Sequence, residues 1–206
     1  MVAPDSPGIL LRTPRLRLRP FTPGDLDRLV ALDNDPGVMR YLNGGRPVTR
    51  EAVRADALPR MLHDHPCLAG HGGRGYWAVE RVTEPGDANQ LPLFLGWFEF
   101  RPLAEERPDV VELGYRLHRA AWGHGYATEG ARALLRKGFT EWGVRRVVAY
   151  TMAVNSPSRH VMEKVGLTFR RTFHESWPDP IEGAEHGEVE YAVTREEWLR
   201  AGGARP

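Results

Sequence analysis

The chain carries one cysteine, Cys67. No intramolecular disulfide can form, and no set of thiolates is available to a metal. That suits a reducing compartment. Neither charge sign is in excess, since 28 Lys and Arg stand against 27 Asp and Glu. The basic surplus typical of nucleic-acid binders is missing, so nucleic acid is not an expected partner. No apolar run is long enough to cross a bilayer, so a membrane is not expected either. Met1 to Gly8 holds two prolines and an aspartate before any apolar run. It lacks the charged and apolar regions of a secretory leader, and the expected location is the cytoplasm. Internal repeats and long low-complexity linkers are also absent.

What is present fits one domain. A length of 206 residues with 41% hydrophobic content is enough to bury a core. A single domain over 1–206 is expected, with 1–11 as a flexible tail. Leu16-Arg17-Leu18-Arg19 alternates as a half-buried strand does. Thr22 and Pro23 open a helix whose apolar face is Leu26, Leu29, Val30 and Leu32. Asp35-Pro36 opens a second, stopped by Asn43-Gly44-Gly45, and Thr49 begins a third. Tyr76 to Glu80, Leu93 to Phe100 and Val110 to Leu117 read as three strands joined by polar loops, which predicts an antiparallel meander.

Tyr126 to Trp142 turns helical, with Ala127, Ala131, Leu134, Leu135, Phe139 and Trp142 on one face. Arg146 to Met152 is rich in β-formers. Strand, helix, strand predicts a parallel pair. Asn155 to Ser158 is a turn that leads into a helix over Arg159 to Val165. Leu167 to Phe169 and Glu188 to Val193 are the last strands. Thr194 to Glu197 has the form of a capping box.

The chemistry gathers between Glu112 and Glu129. A strand, Glu112 to Leu117, is followed by a polar turn and by Trp122-Gly123-His124-Gly125-Tyr126-Ala127-Thr128-Glu129. The glycines lead into a helix start. Such a start presents unpaired amides and the positive end of the helix dipole. Glycine lets an anion's oxygens approach the backbone. The stretch is therefore read as a phosphate site. Thr128 replaces the third glycine of G-x-G-x-x-G, and no Lys-Ser/Thr follows, which argues against dinucleotide and P-loop sites. His63, His65 and His71 surround Cys67, but their spacing is not that of a zinc site. They are read as solvated loop histidines, and no metal is expected.

Four stretches in order carry a resemblance. They are Thr13 to Pro20 with Asp35 to Leu42, Glu112 to Tyr115, Trp122 to Glu129, and Asn155 to Arg159 with Met162 to Leu167. Together they resemble the GNAT superfamily of acetyl-coenzyme A-dependent N-acetyltransferases, and more narrowly its RimJ/RimL-type branch. Trp122 stands where the superfamily usually has Gln or Arg, and Trp is common there in that branch. The resemblance implies an α/β (α+β) fold. Its mixed central sheet has an antiparallel N-terminal meander, a splayed parallel pair of central strands and flanking helices. It implies acetyl-coenzyme A as co-substrate. The acceptor would be a primary amine, at a protein N-terminus or on a small molecule, and a homodimer is allowed for. An aminoglycoside-type acetyltransferase and a non-catalytic acyl-coenzyme A sensor are the alternatives.

Residue roles follow from the same resemblance. The amides of Gly123, His124, Gly125, Tyr126, Ala127 and Thr128 would hold the pyrophosphate. The backbone at Leu117 and His118 would pair with the pantetheine arm, one of the two amides serving as oxyanion donor. Asn155 would bond the pantetheine or the acceptor. Arg159 and Lys164 would approach the phosphates or stay solvated. Glu112 would act as general base, or be a strand-surface carboxylate paired with a basic neighbour; the face it occupies decides. Ser158 would protonate the leaving thiolate or cap the helix that follows. The loop holding His174, Glu175, Glu182, Glu185 and His186 would border the acceptor. Tyr76, Trp77 and Trp97 are read as core.

Overall fold

The structure, a computed structural model, describes residues 8–65, 68, 73, 75–82, 94–175 and 179–203. Cys67 and His71 lie outside the described residues. Eight strands are described: β1 (Leu11–Arg12), β2 (Leu16–Pro20), β3 (Tyr76–Arg81), β4 (Phe94–Pro102), β5 (Val110–Leu117), β6 (Arg146–Met152), β7 (Thr168–Phe173) and β8 (Glu188–Thr194). They form one sheet in the order β1-β2-β3-β4-β5-β6-β8-β7. Pairs from β1 to β5 are antiparallel. β5 and β6 are parallel, and β6, β8 and β7 are antiparallel again. The predicted meander and parallel pair are both present. No described helix is long and apolar enough to cross a membrane.

The helices are α1 (Leu26–Asp33), α2 (Pro36–Asn43), α3 (Arg50–Ala52), α4 (Leu58–Leu62), α5 (Tyr126–Glu141), α6 (Ser156–Lys164) and α7 (Arg195–Arg200), with a π-helical turn, Val53–Ala57, joining α3 to α4. Strand side chains alternate between faces, and the two faces have different covers. On one, Phe98, Phe100, Val111, Leu113, Val147 and Ala149 meet Ala131, Leu134, Leu135 and Phe139 of α5. Gly130 and Gly138 let α5 settle close. A Cβ on Gly130 would stand 2.3 Å from the Phe98 ring, and one on Gly138 would stand 2.6 Å from the Phe100 ring. On the other face, α1 and the α3–α4 segment pack Leu29, Leu32, Val53, Leu58 and Met61 over Ala78 and Trp97.

Several boundaries differ from the sequence reading. Leu10 donates its N–H to Leu18 O at 2.9 Å and Leu11–Arg12 pair with β2, so the stretch expected as tail ends inside a strand. α6 begins at Ser156, not Arg159, because Pro157 sits in the first turn and Asn155 caps it. β4 runs on to Pro102, and β7 runs on to Phe173.

Candidate active site

The described ladder between β5 and β6 comprises Val110–Arg146, Val111–Val147 and Glu112–Val148. Both strands continue beyond it, to Leu117 and Met152, bonded to their outer neighbours. They therefore splay, with Glu112 at the vertex of the gap. Backbone parity assigns the groups that face it. The His118 N–H donates to Leu95 O of β4 at 2.8 Å. Even-numbered residues of β5 thus bond β4, and Tyr115 and Leu117 turn their amides toward β6. On the other side, Ala153 N–H donates to Gly187 O at 2.9 Å, so Tyr150 and Met152 face the gap. The sequence reading named both Leu117 and His118. The His118 amide is bonded to β4, and those of Tyr115 and Leu117 face the gap. Leu117 O accepts from Trp122 Nε1–H at 2.8 Å, which leaves its N–H for the gap. Only knowledge of the β4 register reveals this parity; the sequence of β5 alone carries no sign of it.

The predicted phosphate loop follows β5 after one short helical turn, Arg119–Ala121. Gly123 and Gly125 have φ of 75° and 79°, in the left-handed region that favours glycine. Gly125 is the N-cap of α5, and no side chain caps that helix. The first-turn amides of Tyr126, Ala127 and Thr128 are thus left for a ligand. A Cβ on Gly123 would meet nothing within 4 Å, so the loop's surface is open. Trp122 is 48% exposed, yet its indole ties the loop to the strand end.

A brace from the N-terminal turn supports this loop. Glu129, in the first turn of α5, accepts from Thr13 Oγ1–H at 2.6 Å, from Arg15 N–H at 3.1 Å and from Arg15 Nε–H at 2.6 Å. Burial works to raise the Glu129 pKa, but these bonds outweigh it and hold the carboxyl below its ordinary range. Arg15 Nη1–H donates to His124 O at 2.9 Å. Its guanidinium lies 4.8 Å from the centre of the Tyr126 ring, which stacks on His124. Thr13 and Arg15 belong to the stretch that carried the resemblance, but their sequence did not disclose this bracing role.

Glu112 occupies the face covered elsewhere by α1 to α4, opposite α5. Its Oε2 accepts from Arg101 Nη2–H at 3.1 Å. Glu99 lies next to both: its carboxylate contacts Arg101 and accepts from Tyr76 Oη–H at 3.0 Å. Gly114 makes room for it, since a Cβ there would stand 2.8 Å from Glu99 Oε2. Burial raises the Glu112 pKa, repulsion from Glu99 adds to this, and Arg101 opposes both; the result is about 7. The two readings of Glu112 thus converge. It has a basic partner, and it also titrates where a general base is most effective. Tyr150, on the same face, is raised by burial and then by Glu190 and Glu112.

At the far side of the gap, Asn155 N–H donates to Met152 O at 2.9 Å as β6 ends. Asn155 Oδ1 accepts from Ser158 N–H at 3.4 Å, and its Nδ2–H donates to Thr151 Oγ1 at 2.9 Å. Capping therefore belongs to Asn155, and Ser158 keeps its hydroxyl. Ser158 Oγ lies 3.0 Å from Tyr115 Oη. Arg159 is bonded to β8 and to the residue that follows β6. Its Nε–H donates to Tyr191 Oη at 3.1 Å and its Nη1–H to Ala153 O at 2.9 Å. Arg159 therefore has two partners within the chain, and Lys164 is exposed.

The loop before β8 is tied to the end of α2 through Arg40–Glu182 at 3.0 Å and Arg46–Asp179 at 3.2 Å. Within it, Glu185 lies 3.5 Å from His186. Trp77 and Trp97 are buried, as read.

The fit to coenzyme A rests on the uncapped start of α5, the two left-handed glycines and the unclaimed backbone along the gap. Residues 15–168 match the family model for the acetyltransferase (GNAT) domain. The chain is 36% identical over 196 residues to the FsC-acetyl coenzyme A-N(2)-transacetylase of Aspergillus fumigatus, covering 92% of this chain and 78% of that protein. A GNAT-family acetyltransferase from Bacillus anthracis superposes with a TM-score of 0.68 at 25% identity, over 90% of this chain and 98% of that one. The RimL ribosomal L7/L12 alpha-N-protein acetyltransferase, solved with coenzyme A, gives 0.70 at 17%, over 90% and 97%, and at that identity shows the fold alone. This chain belongs to the GNAT acetyltransferase family. It is an N-acetyltransferase, with acetyl-coenzyme A as its co-substrate.

Proposed function

We propose that this enzyme acetylates a primary amine on a small molecule, as a cytoplasmic single-domain member of the RimJ/RimL-type branch. The observation that carries the reading is Glu112, a half-buried carboxyl at the vertex of the β5–β6 gap with a pKa near 7. Acetyl-coenzyme A supplies the thioester carbonyl. The amides of Gly123 to Thr128 hold its pyrophosphate. Backbone groups of Tyr115 and Leu117 pair with the pantetheine arm, and the Leu117 N–H is placed to stabilise the oxyanion. Glu112 removes a proton from the incoming ammonium, directly or through one water. Ser158 donates a proton to the departing sulfur. Asn155 holds Ser158 in place as the cap of α6.

A small-molecule acceptor is favoured over a protein N-terminus by the Aspergillus relative, whose name carries a numbered nitrogen, N(2), a locant that belongs to a defined compound and not to a polypeptide terminus. The test is thiol release from acetyl-coenzyme A against three acceptor sets: small primary amines, N-terminal peptides and aminoglycosides. Fastest turnover on small primary amines is expected. Faster turnover on peptides or aminoglycosides moves the acceptor to that class. Tight binding of acetyl-coenzyme A without thiol release on any of the three would overturn Glu112 as a working base. The branch resemblance also carries a homodimer, which light scattering checks.

A further inference from the structure

Glu129 is a carboxylate in the first turn of the helix whose amides are read as the phosphate site. Two forces draw it toward those amides. Side chains on a helix lean toward its N-terminus, so a residue at 129 lies over Gly125 and Tyr126. The positive end of the helix dipole attracts its charge. The phosphates, also anionic, have to sit in the same place. Yet the hydrogen bonds that Glu129 accepts come from the N-terminal turn, not from its own helix. Oε1 accepts from the Thr13 hydroxyl and the Arg15 N–H. Oε2 accepts from Arg15 Nε–H, and Arg15 Nη2 stands 2.5 Å from it. The one hydroxyl proton of Thr13 goes to the carboxylate, which can only accept, while Thr13 Oγ1 accepts from Leu16 N–H at 2.9 Å. Arg15 also orients the loop. Its Nη1–H donates to His124 O, so the planar peptide that follows turns the Gly125 N–H to the opposite side, away from the guanidinium.

We infer that Thr13 and Arg15 are positioning residues for coenzyme A: they hold the Glu129 carboxylate off the first-turn amides of α5 and cancel its charge, so that the phosphates meet free donors and no competing anion. The inference rests on the reading of Gly123 to Thr128 as the pyrophosphate site. Glu129 is an anion of the chain itself that rivals the ligand for those amides. Arg15 acts through Glu129, and no contact between Arg15 and the phosphates is needed. The consequence is specific. Loss of Arg15 harms coenzyme A binding only while residue 129 carries a negative charge.

The test titrates coenzyme A calorimetrically into the wild type, Arg15→Met, Glu129→Gln and the double variant, with circular dichroism as the folding control. Arg15→Met is expected to weaken binding about tenfold, the scale of one neighbouring charge. In that variant KM for acetyl-coenzyme A should rise while kcat stays within about twofold. Glu129→Gln alone is expected to bind within about twofold of wild type, and the double variant to recover to within about threefold of it. Thr13→Val removes only the hydroxyl donor. It is expected to show the same loss at smaller size, again rescued by Glu129→Gln, and serves if Arg15→Met does not fold. A brace that merely supports the loop gives another pattern: losing either partner weakens binding alike, and Glu129→Gln rescues nothing. A double variant as weak as Arg15→Met therefore overturns the inference. Native affinity in a folded Arg15→Met protein overturns it alone when Gly125→Glu loses affinity. Native affinity in both removes the loop as the phosphate site, and the inference with it.

Discussion

The phosphate loop and the Glu112 cluster lie at opposite ends of the free part of β5 and are made of different materials. The loop is backbone. Its donors are amides from Gly123 to Thr128, and its shape depends on left-handed glycines at 123 and 125. The cluster is side chain. Tyr76 comes from β3, Glu99 and Arg101 from β4, and Glu112 from β5. Backbone donors do not titrate, so the loop should hold its ligand over a wide pH range. The cluster has a function only in one protonation state. Mutations at one end should leave the other untouched, and each prediction below tests that separation.

The largest effect is expected at the loop. Gly125→Glu forces a side chain into φ 79° and places a carboxylate among the anion-binding amides. Left-handed strain alone is about 1–2 kcal/mol for a residue with a Cβ. With repulsion added, coenzyme A affinity should fall about 100-fold or more, by the usual relation of free energy to affinity. Calorimetric titration of coenzyme A, with circular dichroism as the folding control, checks it. Native affinity in a folded Gly125→Glu protein would remove the loop as the phosphate site.

Next comes Glu112→Gln. Turnover should fall roughly 100- to 10,000-fold, the range for losing a general base, while coenzyme A affinity stays within about twofold because the loop does not involve this side chain. The pH profile has a defined sign. In the wild type, kcat/KM should rise with pH through about 7, as the carboxyl loses its proton. In Glu112→Gln that limb should vanish. Stability gives a second readout. The folded carboxyl titrates above the ordinary 4.5, so between there and about 7 the folded state binds more protons than the unfolded. The Glu112 contribution therefore weakens the fold as pH rises across that window. Urea midpoints at pH 5 and pH 8 should diverge less in Glu112→Gln. An unaltered rate profile in that variant would take Glu112 out of the base role.

The same division governs what was legible in the sequence. The loop could be read because its requirements are local: two glycines, a helix start and a preceding strand, all within a dozen or so residues. The meander and the parallel pair were read from period-two and period-3.6 patterns, and Val110–Leu117 and Arg146–Met152 have the predicted ends. The contacts that sequence does not disclose are those between residues distant along the chain. The resemblance implies the strand end at Leu117 and His118, and the register with Leu95 sends these two amides in opposite directions. Arg159 is expected near the phosphates or in solvent, and the sequence carries no sign of its bond to Tyr191 on β8. Ser158 was weighed as a cap because the helix start was placed three residues late. The Asn155-x-Pro157 pattern was enough to correct that. Nothing near Glu112 in sequence points to Glu99 or Tyr76; only the β3–β4–β5 register brings them to it.

The smallest predicted effect tests whether the cluster acts as a unit. Glu99→Gln removes the negative charge beside Glu112, and it also releases Arg101 from one of its two carboxylate partners. Less repulsion and a freer cation both favour the charged form of Glu112, so the two consequences act in the same direction. The acid limb of kcat/KM should move down by about one unit, the scale of one neighbouring charge. Coenzyme A affinity should not change, since the loop lies beyond the end of β5. Arg101→Met should move the limb the other way, because the attraction is lost while burial and repulsion remain. If Glu112→Gln abolishes the limb but neither neighbour moves it, burial alone sets the pKa. The cluster would then be a single carboxyl with bystanders, and the contrast with the loop would reduce to one residue against six.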